Sequence, residues 1–189
     1  IGSGGATGGA SGGIKIAVGT GNTGAGGDMV LSAGATSGAG SGGVVTMTSG
    51  YSAATSSGAM TLYTSNAGVS GVSGQMVLST GTASRGNSGA LYIGSGSASY
   101  GRGGAVYVSV GSGNSGAGGE LVMSAGTSSD KSGGRLSVVS GVGLEGSGAV
   151  FVASGVNPDK DTGSLTLLTS NAGISGVSGQ VVLSTGTAS

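Results

Sequence analysis

One glycine recurs at a nearly constant spacing along the whole 189-residue chain. These twelve anchor glycines are 14 to 16 residues apart, at residues 12, 27, 43, 58, 74, 89, 104, 119, 134, 148, 163 and 179. Positions in each repeat are counted from its anchor glycine, and positions 2 and 4 are aliphatic in all twelve repeats. Side chains two residues apart lie on the same face of a β-strand. The spacing therefore predicts one short strand in every repeat.

Two sets of side chains would lie on opposite faces of these strands. The inner ladder takes positions 2 and 4 and is predicted to face a core; its main members are Ile14, Ile16, Leu31, Leu62, Leu78, Ile93, Val108, Leu121, Leu136, Val152, Leu167 and Leu183. The outer ladder takes position 3 and points away from that core; its apolar members are Val30, Val77, Tyr92, Tyr107, Val122, Phe151 and Val182. An exposed apolar stripe usually marks an interaction surface. The outer ladder is thus predicted to pack against another protomer, although stacked Val and Tyr also favour cross-strand pairing within a sheet.

One strand per repeat predicts an all-β fold, a β-solenoid of about twelve coils with ~15 residues each. The 48 glycines fit coils of small cross-section, in which opposite walls come close together. A helical chain is excluded because each glycine destabilises a helix by up to ~1 kcal/mol. A flexible chain is disfavoured because disordered segments usually combine low hydrophobicity with high net charge. Here the formal net charge is +0 and the aliphatic residues are periodic.

A longer repeat lies above the short one. The segment GNTGAGGDMVLSAG at 21–34 returns as GNSGAGGELVMSAG at 113–126, and residues 64–84 return almost unchanged as 169–189. In the second pair only Val69 and Met76 differ, becoming Ile174 and Val181, at places expected to face the core. The chain is therefore predicted to hold two solenoid units, 1–92 with about six coils and 93–189 with one extra coil. Together they would form one continuous solenoid, as a window of a longer array or a unit that stacks end to end.

The composition excludes several classes of function. Charged residues make up 6 % of the chain, against a typical ~25 %, and they form no basic patch for a nucleic acid. No run of 18 apolar residues predicts a membrane-spanning helix. The absence of His and Cys removes the usual bases and nucleophiles, so the chain is predicted not to be an enzyme, with no catalytic residue and no cofactor.

Three local motifs match the sequence patterns of known sites but lack other features that those sites require. GTGNTG at 19–24 and GSGNSG at 111–116 match a dinucleotide-binding pattern but lack the helix that this site needs. GASGG at 9–13 matches the G-x-S-x-G motif that presents a nucleophilic serine, here Ser11, but the chain has no histidine to act as its base. Asp159 and Asp161 in NPDKD could contact Ca²⁺, but a solvated turn is the favoured interpretation because no second carboxylate cluster is near in sequence. No metal site is predicted.

The pattern SGxLxLxSGxxxxG resembles the long Gly/Ser/Thr-rich repeat arrays of surface proteins of algae and oomycetes. This resemblance implies an extracellular or cell-surface filament or appendage and brings no catalytic residue. The predicted function is that of a structural subunit that polymerises with itself by end-to-end stacking and lateral packing, with O-linked glycans possible on the loop Ser and Thr residues. The alternative is an ice-binding or adhesive repeat protein. Thr-Met-Thr at 46–48 is one element of an ice-binding array, but other repeats do not continue it.

Overall fold

The structure, a computed structural model, describes residues 2–187. Within this range the chain forms neither a helix nor a β-strand. The predicted all-β solenoid is therefore wrong, since no hydrogen-bonded ladder joins successive repeats. The physical reason is the small amount of apolar surface in each repeat. Two large aliphatic side chains in about 15 residues bury too little area to offset the backbone entropy lost on ordering the whole repeat.

The exposed surface is far larger than that of a folded domain of this mass. The solvent-accessible area is 18554 Å² for 17.0 kDa. A folded monomer of that mass has roughly 7,700 Å², and its fully unfolded chain would have roughly 25,000 Å². None of residues 2–187 is buried, so the chain has no core in this range.

The least exposed residues still share a position in the repeat. Six residues among 2–187 are partly shielded from solvent: Ala33, Ser49, Ser52, Thr64, Ala125 and Ser140. Five of them are position 6, the last residue before the chain enters a loop, and the sixth lies in a loop. Among the described residues, the strongest shielding from solvent is therefore found where an apolar stretch passes into a loop and not at the inner ladder.

The chain divides into two units, Ile1–Ile93 and Gly94–Ser189. In both units, segments without regular secondary structure alternate with loops that contain bends. The predicted units 1–92 and 93–189 were defined by sequence repetition, and this division of the chain stays a prediction.

The duplicated 16-residue repeats contain an additional tight turn. The Gly71 N–H donates to the Gly68 carbonyl at 3.3 Å, and the Gly176 N–H donates to the Gly173 carbonyl at 3.1 Å. Each bond closes a four-residue β-turn. Val69 and Ile174 lie in these turns and are fully exposed, so the expectation that they face a core is wrong.

Candidate functional site

Each anchor glycine lies against the end of the preceding apolar segment. We call positions 1 to 6 of a repeat its apolar segment, and the stretch from position 7 to the next anchor its loop. A Cβ placed on Gly27 would lie 2.8 Å from Val18 Cγ1, and one on Gly119 would lie 2.8 Å from Val110 Cγ1. At each of the twelve anchors, a Cβ would come within 4 Å of a residue eight to ten positions earlier in the chain. At four anchors, Gly27 and Gly119 among them, the Cβ would lie closer than 3.4 Å to a neighbouring atom, so that neighbour would have to move, whereas at the other eight anchors the Cβ would make ordinary van der Waals contact.

Five loops are also closed by a backbone hydrogen bond. The anchor N–H donates to the carbonyl of the glycine at position 7 of the preceding repeat, at 2.8 to 3.3 Å. The donor and acceptor pairs are Gly43 and Gly34, Gly58 and Gly50, Gly134 and Gly126, Gly148 and Gly141, and Gly163 and Gly155. We call these the closed loops. In all five, position 6 is Ala or Ser, which leaves room for the two backbones to approach.

Four closed loops share a side chain that folds the loop from within. Position 9 is Thr36, Ser52, Ser128 or Asn157, and its oxygen accepts hydrogen bonds from backbone N–H groups two or three residues later. Ser, Thr and Asn form such turns readily because their short polar side chains reach the nearby backbone. The four loops that contain these turns are four of the five closed loops.

The loop that contains Asn157 shows this geometry most fully. Asn157 Oδ1 accepts from the N–H of Asp159 at 3.0 Å and from the N–H of Lys160 at 3.1 Å. Ser128 Oγ accepts from the N–H groups of Asp130 and Lys131 in the same way, at 3.3 and 2.9 Å. The sequence NPDKD thus forms a turn organised by an amide side chain, as its solvated-turn interpretation predicted. No group of three or more His, Cys, Asp or Glu that could hold a metal ion is present in residues 2–187.

Several other loops lack a polar side chain at position 9, which is Gly21, Ala83, Ala98 or Gly113 there. Within the described residues these loops have no closing backbone bond. Val18 and Val110 occupy position 6 before two of them and contact the next anchor through a methyl group. Before the loop 96–104, Ser95 Oγ donates instead to the Gly104 carbonyl. Four of the five closed loops therefore combine Ala or Ser at position 6 with a hydrogen-bonding side chain at position 9. The short loop 141–148 closes without a hydrogen-bonding side chain at position 9.

The two GxGxxG motifs lie in loops of this open kind. Gly24 and Gly116 end these motifs at equivalent positions and have φ of +80° and +77°. Glycine adopts this left-handed conformation without the steric penalty that a side chain brings. The motifs are turns, and residues 2–187 contain no helix whose N-terminus could meet a phosphate.

The apolar segments between the loops display their side chains to solvent with an alternating pattern. The aliphatic residues at position 2 are 45–58 % exposed, whereas the outer ladder at position 3 is 68–92 % exposed. Exposure that alternates from one residue to the next indicates an extended backbone with two faces. The inner ladder is also solvent-exposed, at 45–85 %, so it meets no core in the single chain. A role for either ladder in packing between chains stays a prediction.

Comparisons of the chain with known proteins found no relative. No protein-family model, curated protein or solved structure matches the chain. Residues 2–187 contain no helix that is long and apolar enough to cross a membrane.

The residues at position 9 that fold the loops were not among the predicted site residues. The signal was available, because Thr36, Ser52, Ser128 and Asn157 align once the repeats are numbered from their anchors.

Proposed function

We propose that this chain is a non-enzymatic structural protein that associates with copies of itself, as a component of an extracellular filament or surface appendage. The supporting observation is the exposure of the apolar segments. Every repeat displays aliphatic side chains at positions 2 and 4, and none of the described residues is buried. Monomeric soluble proteins rarely expose contiguous apolar patches of more than a few hundred Å².

The outer ladder supplies the largest side chains for lateral packing. Tyr92, Tyr107 and Phe151 are each about nine-tenths exposed. Aromatic side chains bury roughly 150 to 250 Å² each when they are covered. Tyr107 and Phe151 alone, both in the unit Gly94–Ser189, would remove roughly 300 to 500 Å² from water. Burial of these side chains between chains would supply stabilisation that the single chain lacks.

The charge of the chain supports self-association over binding to a charged partner. The formal net charge is +0, with six basic and six acidic residues. Copies of a neutral chain do not repel one another at long range, and a net charge near zero promotes association. The extracellular placement rests on the resemblance of the repeats to algal and oomycete surface arrays. The exposed Ser and Thr residues of the loops would be accessible to O-linked glycans.

Sedimentation velocity and electron microscopy of the full chain at micromolar concentration and neutral pH test this proposal. We expect large assemblies, and dispersed monomers alone would contradict it. Tyr107→Ser should raise the critical concentration by roughly 30-fold, because the lost burial is worth about 2 kcal/mol after side-chain ordering is discounted. Tyr100→Ser is the matched control. Tyr100 is also fully exposed, but it lies in a loop outside the outer ladder, and we expect this variant to assemble like the parent chain.

A further inference from the structure

The backbone hydrogen bonds of this chain are confined to its loops and turns. Seven backbone–backbone bonds are formed in residues 2–187, and both partners of every one are glycines. Side-chain bonds to the backbone reach only loop residues, anchors and position 6. The N–H and C=O groups at positions 2 to 5 therefore have no protein partner within the described part of the chain.

These same positions have the side-chain pattern of a strand. In the seven repeats with an apolar residue at position 3, exposure is lower at position 2 than at position 3, as expected for an extended backbone with two faces. A row of unpaired backbone groups on an extended apolar segment is a template for pairing with another chain. Water can satisfy these groups in the isolated chain, but it is displaced when the apolar side chains beside them are covered.

Resting on the proposed self-association, we propose that positions 2 to 5 of each repeat are sites of backbone pairing with the same positions of a second copy. The pairing is between chains, and successive repeats of one chain remain unpaired with each other. The outer ladder then lies on one face of the intermolecular pair and the inner ladder on the other.

Three observations identify a second copy as the partner. The repeats are spaced by 14 to 16 residues, so pairing of one segment brings the following segments close to their counterparts and raises their effective concentration. The chain has no net charge to oppose the approach of a copy. Its single proline, Pro158, lies in a loop, and proline is the residue that cannot donate to a backbone pair.

Fibre diffraction from aligned assemblies of the full chain tests the pairing directly. Backbone pairing between chains predicts a reflection at about 4.7–4.8 Å. Assemblies without this reflection would overturn the backbone pairing and leave the proposed self-association standing. A chain that does not assemble at all would overturn both.

Two proline variants in one repeat test which backbone groups are used. Val122→Pro removes an N–H at position 3, and we expect it to raise the critical concentration at least tenfold. Ser129→Pro is the matched control, because Ser129 corresponds in the turn to Pro158, which the chain already tolerates. We expect a change of less than about twofold for this variant.

A third variant separates the backbone from the side chain. Val122→Thr keeps the N–H and the β-branched shape but adds a hydroxyl. We expect its critical concentration to rise clearly less than that of Val122→Pro. Equal increases in the two variants, or equal increases for Val122→Pro and Ser129→Pro, would show that the backbone N–H of the segment is not used.

Discussion

Removal of the Asn157 side chain should open the loop that it organises. Asn157 Oδ1 accepts two backbone hydrogen bonds, from Asp159 at 3.0 Å and from Lys160 at 3.1 Å. The same loop is closed by the bond from the Gly163 N–H to the Gly155 carbonyl at 3.3 Å. In Asn157→Ala both acceptor contacts disappear while the closing bond keeps its partners. Any change at Gly163 therefore reports the coupling between the turn and the loop closure.

The size of the effect follows from the exposure of the turn. An intramolecular hydrogen bond contributes a net ~0.5–1.5 kcal/mol, because water replaces it when it breaks. Both bonds of Asn157 are exposed, so we take the low end for each and expect a total of about 1 kcal/mol. The ratio of closed to open loop should therefore fall roughly fivefold.

Amide hydrogen exchange measured by NMR on the dilute full chain would detect this change. The amides of Asp159 and Lys160 should lose protection, and the Gly163 amide should lose it by a similar factor. Asn171→Ala is the matched control, since Asn171 makes no hydrogen bond within the described residues. Asn157→Ser should keep most of the protection, as Ser128 organises its own loop in this way. If Gly163 keeps its protection while Asp159 and Lys160 lose theirs, the turn does not hold the loop closed.

Three further outcomes are expected. Ala98→Ser should create a turn of the same kind at position 9 of an open loop, and slower exchange of the Tyr100 amide would show it, whereas unchanged exchange would contradict the position 9 rule. Gly43→Ala should weaken its closing bond, because the new Cβ would lie 3.1 Å from the Gly34 nitrogen. Gly40→Ala in the same loop, whose Cβ would have nothing within 4 Å, should leave the exchange of the residue 43 amide unchanged. Equal effects of the two variants would refute the steric argument. The dilute, unassembled chain should show no cooperative thermal unfolding in calorimetry, since no described residue is buried; a sharp heat-absorption peak would contradict the absence of a core.

Features that depend on neighbouring residues could be predicted from the sequence alone. The positions of the anchor glycines, the apolar segments and the loops follow from a period that is visible in the chain. A close approach of the backbone at glycine-rich positions also follows from the thin walls expected of short repeats. Only the structure shows that the anchors approach positions 6 and 7 of the preceding repeat.

In four of the five closed loops, closure accompanies a particular residue at each of two positions. Ala33 and Thr36 occupy positions 6 and 9 around one closed loop, and Ser154 and Asn157 do so around another. The turn-forming tendency of Thr and Asn is a local property that the sequence contains. The closing bond additionally requires that a small position 6 lets two backbones meet, and this requirement became visible only in three dimensions.

The sequence by itself determined the period of the chain, the alternation of its apolar side chains and the positions of its turns, because each depends on residues close together along the chain. Only the tertiary structure decided that successive repeats do not pair. Pairing of residues about 15 positions apart requires a balance between buried apolar area and the entropy of ordering the whole repeat. With two large aliphatic side chains in each repeat, that balance favours small closed loops, whose short closures order few residues, and it leaves the apolar segments exposed.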